Sequence, residues 1–235
     1  MIGVTLILLP VLIMAIYWPA RRGEFLFDDW AIADMDFPRR EEIARGRIIW
    51  NDPRNRAAPP VEIPVMLSAF PLPLGWHSQT FFFLHSLRSF WQEPRSLTHI
   101  GYLWTWRAAG RPLEVWRQPG PWHAVNIGLH ILNVFLVYLV LNQVFPPYAV
   151  LGTLLFAVHP HQVAAVAYIS GRASLQTTAF ALGVALIVLQ IFTVWSLVGI
   201  LLAAGLAHKS KEDGLLWVLG FGSVAAVWHY WFGSI

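Results

Sequence analysis

WHAVNIGLHILNVFLVYLVLNQVFPP (Trp122–Pro147), LLFAVHPHQVAAVAYISGRAS (Leu154–Ser174) and HKSKEDG (His208–Gly214) are the polar-bearing parts of one long apolar stretch. Hydrocarbon offers no water to a polar side chain. Polar residues kept inside such segments therefore face a bundle interior, a cavity or the interface, and are candidates for function. Here they recur near the ends of the apolar segments, an arrangement that lets several loops converge on one site. The pattern is that of a membrane protein with a specific task.

The composition agrees. Hydrophobic residues make up 57% of the chain and charged residues 12%, against roughly 25% charged in an ordinary soluble domain. The 235 residues accommodate about six spans and one sizeable loop. With no cysteine, disulfide and thiolate chemistry are excluded. The net charge of +3 comes without a separate basic run, which argues against a nucleic-acid partner.

Working outward, Trp122–Phe145 is long enough to cross a membrane, and Pro146–Pro147 forces a turn after it. Ala149–Ile169 is a second crossing with His159–Pro160 in its middle, so a kink or a broken helix is expected there. Leu175–Trp195, the short Ser196–Ala207 and Gly214–Trp231 follow. Ile2–Tyr17 reads as a short first span rather than a signal peptide, because no Lys or Arg precedes it and no small-x-small site ends it. The predicted fold class is an all-α integral membrane protein with about six transmembrane helices. Its parts are a first helix over 1–18, a long extramembrane loop with interfacial helices over 19–121, and a bundle of about five helices over 122–235. The loop from Pro19 to Pro121 holds 13 of the 16 basic and 11 of the 13 acidic residues. Within it Val65–Trp91 is apolar but broken by Pro71, Pro73 and Gly75, and the half after Gly75 suits an interfacial helix.

Several residues are candidates for chemistry. Asp28 and Asp29, in FLFDDW (Phe25–Trp30), are adjacent carboxylates among aromatics, a setting for a general base or a metal ligand. The alternative is an interfacial turn, or a cap on the helix starting near Trp30. His159 and His161 flank Pro160; no third ligand is evident, so helix-end hydrogen bonding competes with a metal role. His123, His130, His208 and His229 stand at intramembrane or boundary positions, where haem or a pigment would take a ring nitrogen. Arg111, Arg172, Lys209 and Lys211 suit phosphate, against anchoring to lipid headgroups, the commoner fate of such residues. Asn126 and Asn133 share a helix face, as helix-packing residues do.

In order along the chain, FLFDDW, RPL (Arg111–Leu113), WHAVNIGLHILN, LLFAVHP, AVAYISGRAS and SKEDG resemble the membrane part of the transmembrane and tetratricopeptide-repeat O-mannosyltransferase-like proteins. These are glycosyltransferases of the membrane-embedded GT-C fold. The resemblance implies transfer of a sugar from a polyprenyl-phosphate donor to a protein hydroxyl, with the long loop on the extracytoplasmic side. It implies Asp28 or Asp29 as base, and Arg111, Arg172 and Lys211 as phosphate ligands, with His159 in the motif at the site. The family reads HP-x-H-x-E-A-V-A where this chain has Gln162 and Ala164, losing a histidine and a carboxylate. No tetratricopeptide pattern is present, and the family has more spans. Two readings follow: a sugar transferase, or an accessory subunit of a larger membrane complex, pigment- or haem-associated, that retains a degenerate GT-C fold. Membrane lipid and other membrane subunits are the expected partners.

Overall fold

The computed structural model describes residues 2–24, 29, 32, 48–50, 61–63, 95–110, 117–190 and 193–232. Asp28, Arg111 and the Val65–Trp91 segment lie outside them. The chain divides into two compact units, 34–93 and the rest. Of the first, the described part is a two-stranded antiparallel ladder, β1 (Ile48–Trp50) with β2 (Val61–Ile63), Ile48 opposite Ile63. No strand was expected from the sequence of this loop.

The other unit is helical: α1 (Ile2–Tyr17), a 3₁₀ turn (Trp18–Arg22), α2 (Ser96–Ala108), α3 (Gly120–Val144), α4 (Ala149–Val158), α5 (His161–Ala167), α6 (Arg172–Leu189), α7 (Val194–Ser210) and α8 (Gly214–Phe232). Three stretches, Gly120–Val144, Ile169–Leu189 and Gly214–Phe232, are long and apolar enough to cross a membrane, which marks the chain as an integral membrane protein. Pro146–Val158 and His161–Ala167 make a fourth if that pair, bent by 60°, is one broken span. The 16 residues of α1 rise about 24 Å, short of a hydrocarbon core of about 30 Å.

Helix α6 stands between two cores. On one side Leu9, Ile13, Tyr17, Ile127, Val134, Ala157, Val166 and Leu175 join it to α1, α3, α4 and α5. On the other, Ala181 and Val184 meet Ala207 of α7 and Val218 of α8. α8 leaves most of its surface uncovered, from Leu216 and Trp217 to Tyr230 and Trp231. α2 was read as part of the loop, yet its buried Ser96, Thr98, Tyr102, Leu103, Thr105 and Trp106 pack on the bundle end where α3 and α6 begin.

The break between α4 and α5 falls where the proline places it. Pro160 disfavours helical backbone at the residue before it, and His159 is extended at φ −60°, ψ 130°. In an unbroken helix the His161 N–H would reach the Ala157 carbonyl. Instead it donates to His159 Nδ1 (3.2 Å). The freed Ala157 carbonyl accepts the Tyr17 hydroxyl (3.3 Å) and lies 3.1 Å from His130 Nε2, which donates if that nitrogen carries the proton. A buried carbonyl without a partner is costly, so α1 and α3 are locked to the break. Replacing His130 by Leu should lower the unfolding free energy by about 1–3 kcal/mol, measured as a fall in melting temperature in detergent. Unchanged melting would mean that Tyr17 alone suffices.

Candidate functional site

The polar residues of the bundle converge on the turn Tyr168–Arg172 that joins α5 to α6. Tyr168 is extended (φ −81°, ψ 134°), Ile169–Gly171 form a 3₁₀ turn, and Arg172 opens α6. Gly171 permits the close approach of the two helices, because a Cβ there would collide with the Ala165 carbonyl oxygen. The short 3₁₀ turn leaves backbone groups that side chains of other elements must meet.

Asp29 supplies one set of partners. The Ser170 N–H donates to its Oδ1 at 2.7 Å and the Ile169 N–H to its Oδ2 at 3.1 Å. An anion at the amino end of a helix also suits its dipole. Asp29 therefore caps the start of the turn leading into α6, some 140 residues away, rather than a helix of its own segment. Asn126 of α3 donates through Nδ2 to the Tyr168 carbonyl (2.7 Å) and the Ile169 carbonyl (3.3 Å). The Tyr102 hydroxyl of α2 donates to the same Ile169 carbonyl (3.3 Å).

Arg172 closes the arrangement. Its Nε donates to Asn126 Oδ1 (3.2 Å), Nη1 to Thr105 Oγ1 (2.9 Å) and Nη2 to the Trp122 carbonyl (3.2 Å). The guanidinium lies 4.6 Å from the Tyr102 ring centroid and 5.8 Å from that of Trp122. Asp29, Asn126 and Arg172 have no exposed surface. The one buried carboxylate and the buried guanidinium of the described residues thus share a single turn, enclosed by α2, α3 and α6.

The remaining expected site residues sit elsewhere. Lys211 follows α7, and its ammonium is 3.2 Å from Asp213. Thr98 Oγ1 is within reach of Gln176 Oε1 (2.6 Å) and the Ser210 carbonyl (3.0 Å). Thr98 and Thr105 therefore place the Lys211 loop and Arg172 about 10 Å apart along α2. Beside that loop, Glu212 pairs with Arg95 Nε at 2.7 Å. Its own backbone N–H, and then Arg95, hold the Glu212 carboxyl below the usual range. His159 is exposed, with Nδ1 accepting the His161 amide, the helix-end role weighed against a metal. His123 and His130 are enclosed by protein. Asp28 and Arg111 are outside the described residues.

Sequence reasoning missed Tyr102 and Thr105. The available signal was the spacing Thr98, Tyr102, Thr105 in SLTHIGYLWTWRA, one polar face of a helix inside a presumed loop. Asn133 was read as a packing residue, and its Nδ2 donates to the Leu175 carbonyl (3.0 Å). No protein-family model, curated protein or solved structure matches this chain.

Two outcomes are expected here. Arg172→Lys keeps a charge but not a planar fork able to reach three acceptors, and should cost about 2–4 kcal/mol of stability. Wild-type melting in that variant would show the fork to be dispensable. Burial pushes the Tyr102 hydroxyl up to about 12; Arg172 opposes the shift and Asp29 adds to it. The folded state then holds this proton where the unfolded chain has lost it. The stabilisation is complete below the ordinary tyrosine pKa of about 10 and is lost as pH rises toward 12. A melting-temperature profile should show a decline in that window that is reduced in Tyr102→Phe.

Proposed function

We propose that this chain is a non-catalytic subunit of a larger membrane assembly, which keeps a degenerate GT-C-like bundle and uses its former site residues to hold the fold. The observation carrying this reading is that Asp29 and Arg172 are sealed from solvent and bound to protein groups. A general base must reach the proton it removes, and a phosphate ligand must reach an oxygen. Gln162 and Ala164, in place of the family's His and Glu, point the same way. Six crossings follow if α1, the broken α4–α5 pair and α7 each pass through the bilayer with the three long helices. Exposed aromatics on α7 and α8, among them Trp195 and Trp231, suit contact with neighbouring membrane subunits.

One observation favours the second reading, a polyprenyl-phosphate-dependent sugar transferase with its long loop on the extracytoplasmic side. The first-loop acid and the Ser-Gly-Arg turn meet at Asp29 and Ser170, as that chemistry requires. In this reading Asp29 positions the turn, its neighbour Asp28 is the base, and Arg111 and Lys211 hold the phosphate.

Gentle purification from the native membrane separates the two. The subunit reading expects a stoichiometric membrane complex and no sugar transfer from polyprenyl phosphate. It also expects Asp29→Asn to cost about 1–3 kcal/mol of stability, because an amide nitrogen replaces one acceptor. Transfer by the purified chain, abolished in Asp28→Asn without a change in melting, would overturn it in favour of the enzyme.

A further inference from the structure

The break between α4 and α5 is level with the middle of the bundle. α3 is 25 residues long and apolar enough to cross a membrane. Its His130, near mid-length, has Nε2 3.1 Å from the Ala157 carbonyl, two residues before His159. Length gives the same depth. The 10 residues of α4 rise about 15 Å from the Pro146–Tyr148 turn, half of a hydrocarbon core of about 30 Å.

The polar groups of the break divide by direction. The Ala157 carbonyl is turned inward, where Tyr17 and His130 take it up. His159 and His161 are exposed. Because His159 Nδ1 accepts the His161 amide, the neutral His159 ring carries its proton on Nε2, a donor with no partner among the described residues. The neutral His161 ring has one donor and one acceptor, and neither is met among the described residues. Polar side chains in a membrane segment ordinarily face a bundle interior or a cavity, since hydrocarbon cannot hydrogen-bond them. These two face outward. The surface around them is apolar and uncovered, with Leu151, Leu155 and Val158 on α4 and Val163 on α5. Leu151, Leu155 and Val158 stand at spacings of four and three, one stripe of α4 that leads into the break.

We propose that this face is the contact between two copies of this chain, packed side by side in the same orientation, with the histidines of one break hydrogen-bonded to those of the other. The chemistry selects the occupant. A copy related by a twofold axis along the membrane normal brings identical groups to identical depth. The set is self-complementary, with a donor on His159 and both a donor and an acceptor on His161. Polar side chains hydrogen-bonded across helices, framed by apolar packing, hold membrane helices together. The proposal rests on the reading of α4 and α5 as one broken span within a membrane assembly, and names one interface of that assembly.

The chain has no cysteine, so single introduced cysteines report the contact without background. Leu151→Cys, Leu155→Cys, Val158→Cys and Val163→Cys, each oxidised in the membrane where the chain is made, are expected to yield disulfide-linked dimers from one or more of the four. Leu201→Cys, equally exposed on α7, should yield none. No linked dimer from the stripe, or as much from Leu201→Cys, overturns the proposal. In mild detergent His161→Leu should weaken the dimer about three- to tenfold, the loss of roughly one interhelical hydrogen bond. His161→Asn, which keeps a donor and an acceptor, should stay near wild type. Unchanged dissociation in His161→Leu also overturns the proposal, and should that variant fail to fold, the linked dimers decide. A stoichiometric complex with other proteins but no self-linked pair would sink the dimer and leave the subunit reading standing. Sugar transfer by a self-linked dimer would do the reverse.

Discussion

Backbone groups released inside an apolar bundle have to find partners within the protein, and the structure is organised around meeting that demand at two interruptions. At the first, Pro160 separates α4 from α5 and frees the Ala157 carbonyl, which Tyr17 and His130 take up. At the second, the turn Tyr168–Arg172 presents amides to Asp29 and carbonyls to Asn126 and Tyr102. Water offers no alternative partner in such a place, so each contact is expensive to leave unmade. α3 serves both interruptions. His123, Asn126, His130 and Asn133 fall on one of its faces at spacings of three and four, and all four are buried.

Placing Arg172 at the second interruption extends the same logic to charge. A buried guanidinium is tolerated when its donors are occupied and an opposite charge is near. Three donors reach Asn126, Thr105 and Trp122, two aromatic faces cover it, and Asp29 caps the same turn. Arg172 thereby ties α6 to α2 and α3.

Much of the helix layout was legible in the sequence. Apolar length set α3 and α8 to within two residues of expectation, Pro146–Pro147 marked the turn after α3, and Pro160 marked the break. Proline and hydrophobic length act locally, through a missing N–H, a fixed φ and the run of apolar side chains, so one stretch of chain suffices to read them. α2 was hidden because its burial depends on what it lies against. Thr98, Tyr102 and Thr105 look like loop residues until Gln176, Ile169 and Arg172 are placed beneath them.

The candidate residues themselves were visible as residue types, but their roles were not. Asp29 reads equally as a base, a local cap or a surface acid, and Arg172 as a phosphate ligand or a lipid anchor. The sequence by itself determined an apolar, cysteine-free chain with its charges gathered outside the long helices and a proline break in one of them. Those properties follow from solvation and backbone stereochemistry, which each segment carries alone. Only the tertiary structure decided that Asp29 ends on the amides of Ile169 and Ser170 and that Arg172 is enclosed by Asn126, Thr105 and Trp122. Hydrogen bonds between groups 46 to 141 residues apart depend on how the helices pack, and no local pattern encodes that distance.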